Sequence, residues 1–160
     1  MTDGIIDGAQ PLLDEIASRL DGDGRTVAVA ESLTAGKIAS HLGAAPGAST
    51  WFAGGVVAYT NETKYSVLNV DRGPVVTSAC AGQMADGVAG LLAADVAVAV
   101  TGVGGPGPQE GREAGTVFLG GRSGARSLTT ELHLEGGPTE VVEAATLHAL
   151  RMLVDLVRAG

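Results

Sequence analysis

The spacing of apolar positions changes several times along the chain, and each change marks an element. Leu13, Ile16 and Leu20 recur at helical spacing and predict a first helix, which Gly22 to Gly24 stop. Thr26 to Ala30 is a short apolar run, the pattern of a strand buried on both faces. Glu31-Ser32-Leu33-Thr34 follows, then a helical stretch to about Leu42 that Ser32 or Thr34 would cap. Gly43 to Thr50 is small and polar and reads as a loop. Trp51 to Thr60 reads as a strand, where Gly54-Gly55 predicts a bulge or a close backbone approach.

Asn61 to Leu68 predicts a short helix capped by Asn61, and Thr77 opens a longer one to about Ala94. Asp95 to Val100 is another buried strand, and the glycine-rich Thr101 to Gly115 is a loop. Thr116 to Leu119 is a strand. In Leu128 to Leu134 the period is two, so that strand is half exposed. Leu147, Leu150, Val154 and Val157 mark a final amphipathic helix. Alternating strands and helices, with an antiparallel-looking pair near the end, predict an α/β fold: a mixed, mostly parallel sheet between helical layers. No repeat or linker divides the chain, so residues 1–160 read as one domain.

Composition narrows the function. Apolar residues make up 45% of the chain but aromatics only 3%, so small side chains and helices lying close on a sheet are expected. The formal net charge of -8, with no Lys/Arg-rich run, repels phosphate backbones and argues against a nucleic-acid partner. Cys80 is the single cysteine and cannot form an internal disulfide, which fits a reducing compartment. No apolar run reaches the roughly 20 residues needed to span a bilayer, and the first residues lack signal-peptide character. A cytoplasmic protein without a membrane partner is expected. His41, His133 and His148 are far apart and form no metal-binding spacing, so neither a metal nor another cofactor is expected.

Two nucleotide motifs nearly occur. Gly102-Val-Gly-Gly-Pro-Gly107 follows a strand, but prolines and then a strand follow it where a dinucleotide site needs a helix. Gly36-Lys37 lacks the other residues of a phosphate loop, with Glu31 in place of the first glycine. What remains is a set of polar groups near strand ends. Ser32 and Thr34 follow the first strand, and Ser49 precedes the second. Tyr59 and Thr60 end that strand, with Lys64 one helical turn on; Thr101 and Gly102 end the Asp95 strand. Ligands of parallel α/β sheets gather at the carboxyl ends of strands. Each residue also has a plainer reading, as a cap, a turn, a core residue or a solvated lysine.

Five segments, in order, carry a resemblance: Ala30-Glu-Ser-Leu-Thr-Ala-Gly36, Gly47-Ala-Ser-Thr-Trp-Phe52, Val57-Ala-Tyr-Thr-Asn-Glu-Thr-Lys64, Thr101-Gly-Val-Gly-Gly-Pro106 and Gly115-Thr-Val-Phe118. Spread in order between Ala30 and Phe118, they make the chain resemble the CinA C-terminal domain family. That family includes stand-alone nicotinamide mononucleotide amidohydrolases. The resemblance implies a three-layer α/β/α fold and hydrolysis of the carboxamide of nicotinamide mononucleotide to nicotinate mononucleotide and ammonia. It implies Ser49 as nucleophile and Lys64 as its base, with Tyr59, Ser32 and Thr101 orienting these groups or the substrate. Thr34, Gly102 and Arg112 join the expected substrate-binding set.

The chain departs from the amidase pattern at Gly136-Gly137-Pro138, where amidase members carry an arginine expected to hold the substrate, and again at Val142 and Glu143, which replace basic residues. Ala35 stands where a glycine is usual. Two functions follow: an amidohydrolase acting on a pyridine mononucleotide or another small amide, or a ligand-binding homologue that has lost efficient hydrolysis. A homodimer fits the commonest form of soluble oligomer, but no interface is readable.

Overall fold

The computed structural model describes residues 4–159. The chain runs α1 (Ala9–Leu20), β1 (Val27–Glu31), α2 (Lys37–Gly43), α3 (Ala48–Trp51), β2 (Phe52–Val57), α4 (Asn61–Leu68), α5 (Ser78–Leu91), β3 (Val96–Gly102), β4 (Thr116–Ser123), β5 (Arg126–His133) and α6 (Pro138–Arg158). The five strands form one sheet in the order β2-β1-β3-β4-β5. β1 pairs in parallel with β2 and β3, whereas β4 is antiparallel to both β3 and β5. The sheet is mixed, as expected, and four of its strands point the same way.

The alternation of β1 and β3 explains the layers. Val27, Val29, Val96, Val98 and Val100 turn to one face and pack with α1, α2 and α6. Ala28, Ala30, Ala97 and Ala99 turn to the other and pack under α4 and α5. Branched side chains thus fill one interlayer space, and methyl groups let α5 lie close on the other. Gly120 completes that approach, because a Cβ there would run into the Ala81 carbonyl of α5. The result is a three-layer α/β/α sandwich.

Local details refine the expectations. The register of β1 on β2 shifts between Val27 and Ala28, and a Cβ at Gly55 would lie 2.6 Å from Val29. The Gly54-Gly55 pair therefore marks both a bulge and a close approach. The expected Trp51–Thr60 strand ends earlier, at Val57, and the expected loop before it contains α3. Thr60, not Asn61, caps α4 by accepting the Thr63 N–H, and Thr77 caps α5 through the Cys80 N–H. β4 continues past Leu119 to Ser123, and α6 begins with Pro138, which has no N–H to leave unpaired at a first helical position. β5 is an edge strand, and Leu128 and Leu132 on it, with Leu134 just past its end, are only partly covered.

β1 connects toward β2 at one edge of the sheet, and β3 connects toward β4 on the other side. Their carboxyl ends therefore lie beside a crevice, the usual ligand position in such sheets.

Candidate active site

That crevice holds a pocket of about 350 Å3, lined at its base by Ser32, Lys64 and Thr101 and along its walls by Asn61, Val75, Val76 and the glycine-rich loop from Val103 to Gln109. Pro138 and Val142, at the start of α6, form its far rim. A larger depression of about 540 Å3 lies at the opposite end of the sheet beside Arg25 and Arg122. Its arginines are already engaged, Arg25 by Asp23 and the Val157 carbonyl, Arg122 by Asp86 and the Gly124 carbonyl. Size alone does not make it the reactive site; the crevice pocket contains the unusual chemical group.

That group is Lys64. It follows the tight start of α4 and is 1% exposed. Its Nζ donates to the Ala58 carbonyl at 2.9 Å and to the Tyr59 carbonyl at 3.2 Å. Burial pushes its pKa below the ordinary lysine value, while Cys80 and then Glu110 pull it back up. A neutral amine has two N–H donors and one lone pair. The two carbonyls accept from the amine in either form, so it is burial that shifts Lys64 toward the uncharged form, whose lone pair can take a proton.

Ser32 lies just past β1, 7% exposed, in the same pocket. The turn that presents it is organised by Glu31, which is not among the expected site residues. The fully buried Glu31 carboxylate accepts from Thr34 Oγ1 at 2.6 Å, from the Ile38 N–H at 3.0 Å and from the Ala39 N–H at 2.9 Å. It thereby takes the role at the start of α2 expected of Ser32 or Thr34; the residue at the cap position is Gly36, with no side-chain cap. Thr34 is outside the pocket lining and serves this carboxylate. Ala35 adopts a φ of 48°, a left-handed conformation that explains why glycine is usual at this position.

Thr101 Oγ1 donates to the Val75 carbonyl at 3.0 Å, so this expected substrate contact also anchors a wall. Gly102 lines the pocket, and a Cβ there would meet the Thr116 carbonyl at 2.6 Å, which accounts for glycine in this paired position. Tyr59 stands at the mouth, 66% exposed, rather than in the core. The structure thus brings Ser32, Tyr59, Lys64, Thr101 and Gly102 together. It also adds Asn61, Val75, Val76 and Gln109, which carried no distinctive signal in the sequence.

Two expected members lie elsewhere. Ser49 sits exposed on α3, before β2, whereas Lys64 lies beyond the other end of that strand. The six residues of β2 separate these ends by roughly 20 Å at a strand's rise per residue. The expected pairing of Ser49 with Lys64 is therefore not made within one chain. Arg112 lies over the Phe118 ring, 5.4 Å from its centroid, and lines a neighbouring depression with Pro74 and Thr77. Among the described residues, Lys64 is the one basic side chain in the pocket lining.

The histidines are dispersed, as their spacing in the sequence indicates. His41 accepts the Ile6 N–H and faces the Lys37 carbonyl, His133 pairs with exposed Glu131, and burial lowers the pKa of His148. Among the described residues, no group of three or more His, Cys, Asp or Glu side chains is placed to hold a metal. No helix among them is long and apolar enough to cross a membrane.

The arrangement can be set beside known proteins. A family model described as CinA C-terminal domain matches residues 9–157. The chain belongs to the CinA C-terminal domain family. A Shouchella clausii relative, one of those named as competence-damage inducible proteins, is 45% identical over 156 residues, or 93% of this chain and 37% of that one. A CinA-like protein of Mycobacterium avium is 40% identical over 152 residues, 88% of this chain and 35% of that one. The chain thus spans little more than a third of these curated relatives. The crystal structure of a competence-damaged protein (CinA) superfamily protein from Escherichia coli superposes with a TM-score of 0.90 at 32% identity, covering 95% of this chain and 93% of that one. The CinA-family fold expected from the sequence is therefore the fold observed.

Proposed function

We propose that this CinA-family chain is an amidohydrolase that cleaves a small carboxamide, with Ser32 as nucleophile and Lys64 as its general base. The observation that carries this reading is the Lys64 amine, buried and held by two carbonyls in the same pocket as a serine. A serine hydroxyl needs a neighbour to take its proton, and a lysine can do so when burial favours its neutral form. Ser32 replaces Ser49 in this role because only Ser32 lines the pocket.

In the proposed reaction, Ser32 Oγ attacks the carboxamide carbon while its proton passes to Lys64. The tetrahedral oxyanion collapses, the C–N bond breaks, and ammonia leaves with that proton. Water then attacks the acyl-serine ester while Lys64 takes its proton; the acyl–oxygen bond breaks, the proton returns to Ser32 Oγ, and the carboxylate product departs with release of a proton to solvent. Gly104 and Gly105 line the pocket, and their N–H groups, which have no hydrogen-bond partner among the described residues, are the candidate oxyanion donors.

The family resemblance points to nicotinamide mononucleotide or a close relative as substrate. The lining supports a pyridine carboxamide without its phosphate at least as well, because no arginine reaches the pocket and Pro138 and Val142 form the α6 rim. A ligand-binding homologue without efficient hydrolysis is the second reading, favoured by the same missing cation. Incubating the purified protein with the mononucleotide and with its riboside, and measuring ammonia, separates these readings. Ammonia release from either substrate, lost in Ser32→Ala, supports the hydrolase; binding without release supports the second.

A further inference from the structure

Val75 and Val76 form one wall of the pocket, both 1% exposed, on the irregular segment between α4 and α5. Without a helix or strand to hold this backbone, side chains do so from two directions. Thr101 at the end of β3 takes the Val75 carbonyl. From the glycine-rich loop, Glu110 takes the amides: the Val75 N–H lies 3.1 and 3.0 Å from its two carboxylate oxygens, and the Val76 N–H lies 2.8 Å from one of them. Glu110 has a φ of 52°, a left-handed conformation rare for a residue with a Cβ. These charge-assisted hydrogen bonds help offset the cost of that conformation.

Glu110 also acts on Lys64. Cys80 on α5 has its thiol pushed up to about 11, chiefly by burial, so it is uncharged at neutral pH. Tyr59 and Ala58 present carbonyls. Ser32, Asn61, Thr101 and Gln109 are neutral. Among the described residues, Glu110 is the anion left to influence Lys64.

We propose that Glu110 is a positioning residue for the Lys64 pocket: from the glycine-rich loop its carboxylate hooks in place the Val75–Val76 wall that lines the pocket with the amine. The catalytic meaning of this arrangement rests on Lys64 being the base, but the hook and the charge can be measured in an inactive protein. The chain has two lysines, Lys37 and Lys64, so isotope-labelled lysine side chains give two signals by NMR, assigned with a Lys37→Arg variant. In Glu110→Gln, which loses the charge but keeps an acceptor oxygen, Lys64 titrates at lower pH than in the native protein while Lys37 does not move. In Glu110→Ala, amide exchange at Val75 and Val76 accelerates about ten- to a hundred-fold, with the sheet amides unchanged. An unmoved Lys64 titration in the first variant, or unchanged Val75 and Val76 exchange in the second, would overturn the proposal whatever the protein's activity. If both hold and no amide is hydrolysed, the positioning stands and the amidohydrolase reading fails.

Discussion

Lys64 turns back across the start of its own helix to donate a 2.9 Å hydrogen bond to the carbonyl of Ala58, the residue that follows β2. This contact ties the candidate base to the sheet edge and removes it from water. Its first consequence concerns pH. The base works only when neutral, so kcat/KM for a carboxamide should rise with pH through a pKa below the ordinary lysine value of about 10.4, then level off. Lys64→Arg should lower activity by about two to four orders of magnitude, because arginine does not give up its proton at working pH. Wild-type-like turnover in Lys64→Arg would remove Lys64 from the role of base.

The same burial makes Lys64 a stability term with a definite sign. Its folded pKa is lowered, so between that value and the unfolded value the unfolded chain binds more protons than the native one. Unfolding free energy therefore gains a contribution that rises with pH through this window, and below it the charged, buried amine is a penalty. Denaturant melts of the native protein and Lys64→Met should diverge in the native protein's favour as pH rises from neutral toward 10. A difference that is flat with pH would show that Lys64 titrates at its ordinary value.

Ser32 and Ser49 make opposite predictions. Ser32→Ala should abolish ammonia release and leave the melting curve nearly unchanged, because a pocket hydroxyl contributes little to packing. Ser49→Ala should retain activity, since Ser49 sits at the other end of β2 from Lys64. A loss of activity on Ser49→Ala with intact fold, and none on Ser32→Ala, would make Ser49 the nucleophile, as the family resemblance implies, and require it to arrive from a second copy of the chain.

These two serines also show what could be read from the sequence. The Val/Ala runs of β1 and β3 are self-evident strands because burial on both faces leaves no polar interruption. The five family segments identify which residues belong together, but not which end of a strand each one occupies. Direction decides that: residues after β1, β2 and β3 converge at the crevice, and a residue before β2 cannot. The capping of α2 was hidden for another reason. Glu31 lies seven residues before Ile38, outside the near-neighbour spacing of a helix cap, and its carboxylate reaches the helix only because the Ser32–Gly36 turn folds back. The Val75–Val76 wall has no periodicity, so nothing in its sequence distinguishes it from an ordinary connection.

Glu31 can be tested through stability. Both of its oxygens accept hydrogen bonds, and both lie in a fully buried position. Glu31→Gln would turn an N–H donor toward either the Ala39 amide or the Thr34 and Ile38 donors. The loss should be about 1–3 kcal/mol, as for a buried donor left unpaired. Urea melts measure it, and an unchanged midpoint would mean that the turn tolerates a donor at that position.

The last prediction concerns Pro138, which forms the α6 rim of the pocket where amidase members of the family are expected to carry arginine. If the pocket takes a pyridine nucleotide, a phosphate there lacks one charge-assisted partner, worth about 1.5–3 kcal/mol or roughly ten- to a hundred-fold in affinity. The substitutes within the chain do not reach it: Arg112 lines the depression beside Pro74, and Lys37 lines another with Asp7 and Glu140. The native protein should therefore bind the riboside at least as tightly as the mononucleotide. Pro138→Arg should tighten mononucleotide binding by about that factor and leave the riboside, which has no phosphate, nearly unchanged. The first position of α6 tolerates the exchange, since proline is favoured there but not required. Calorimetry with both ligands on both proteins decides the matter. Tight mononucleotide binding by the native protein, with no gain in Pro138→Arg, would show that the phosphate is held by another cation, such as one from a second copy of the chain.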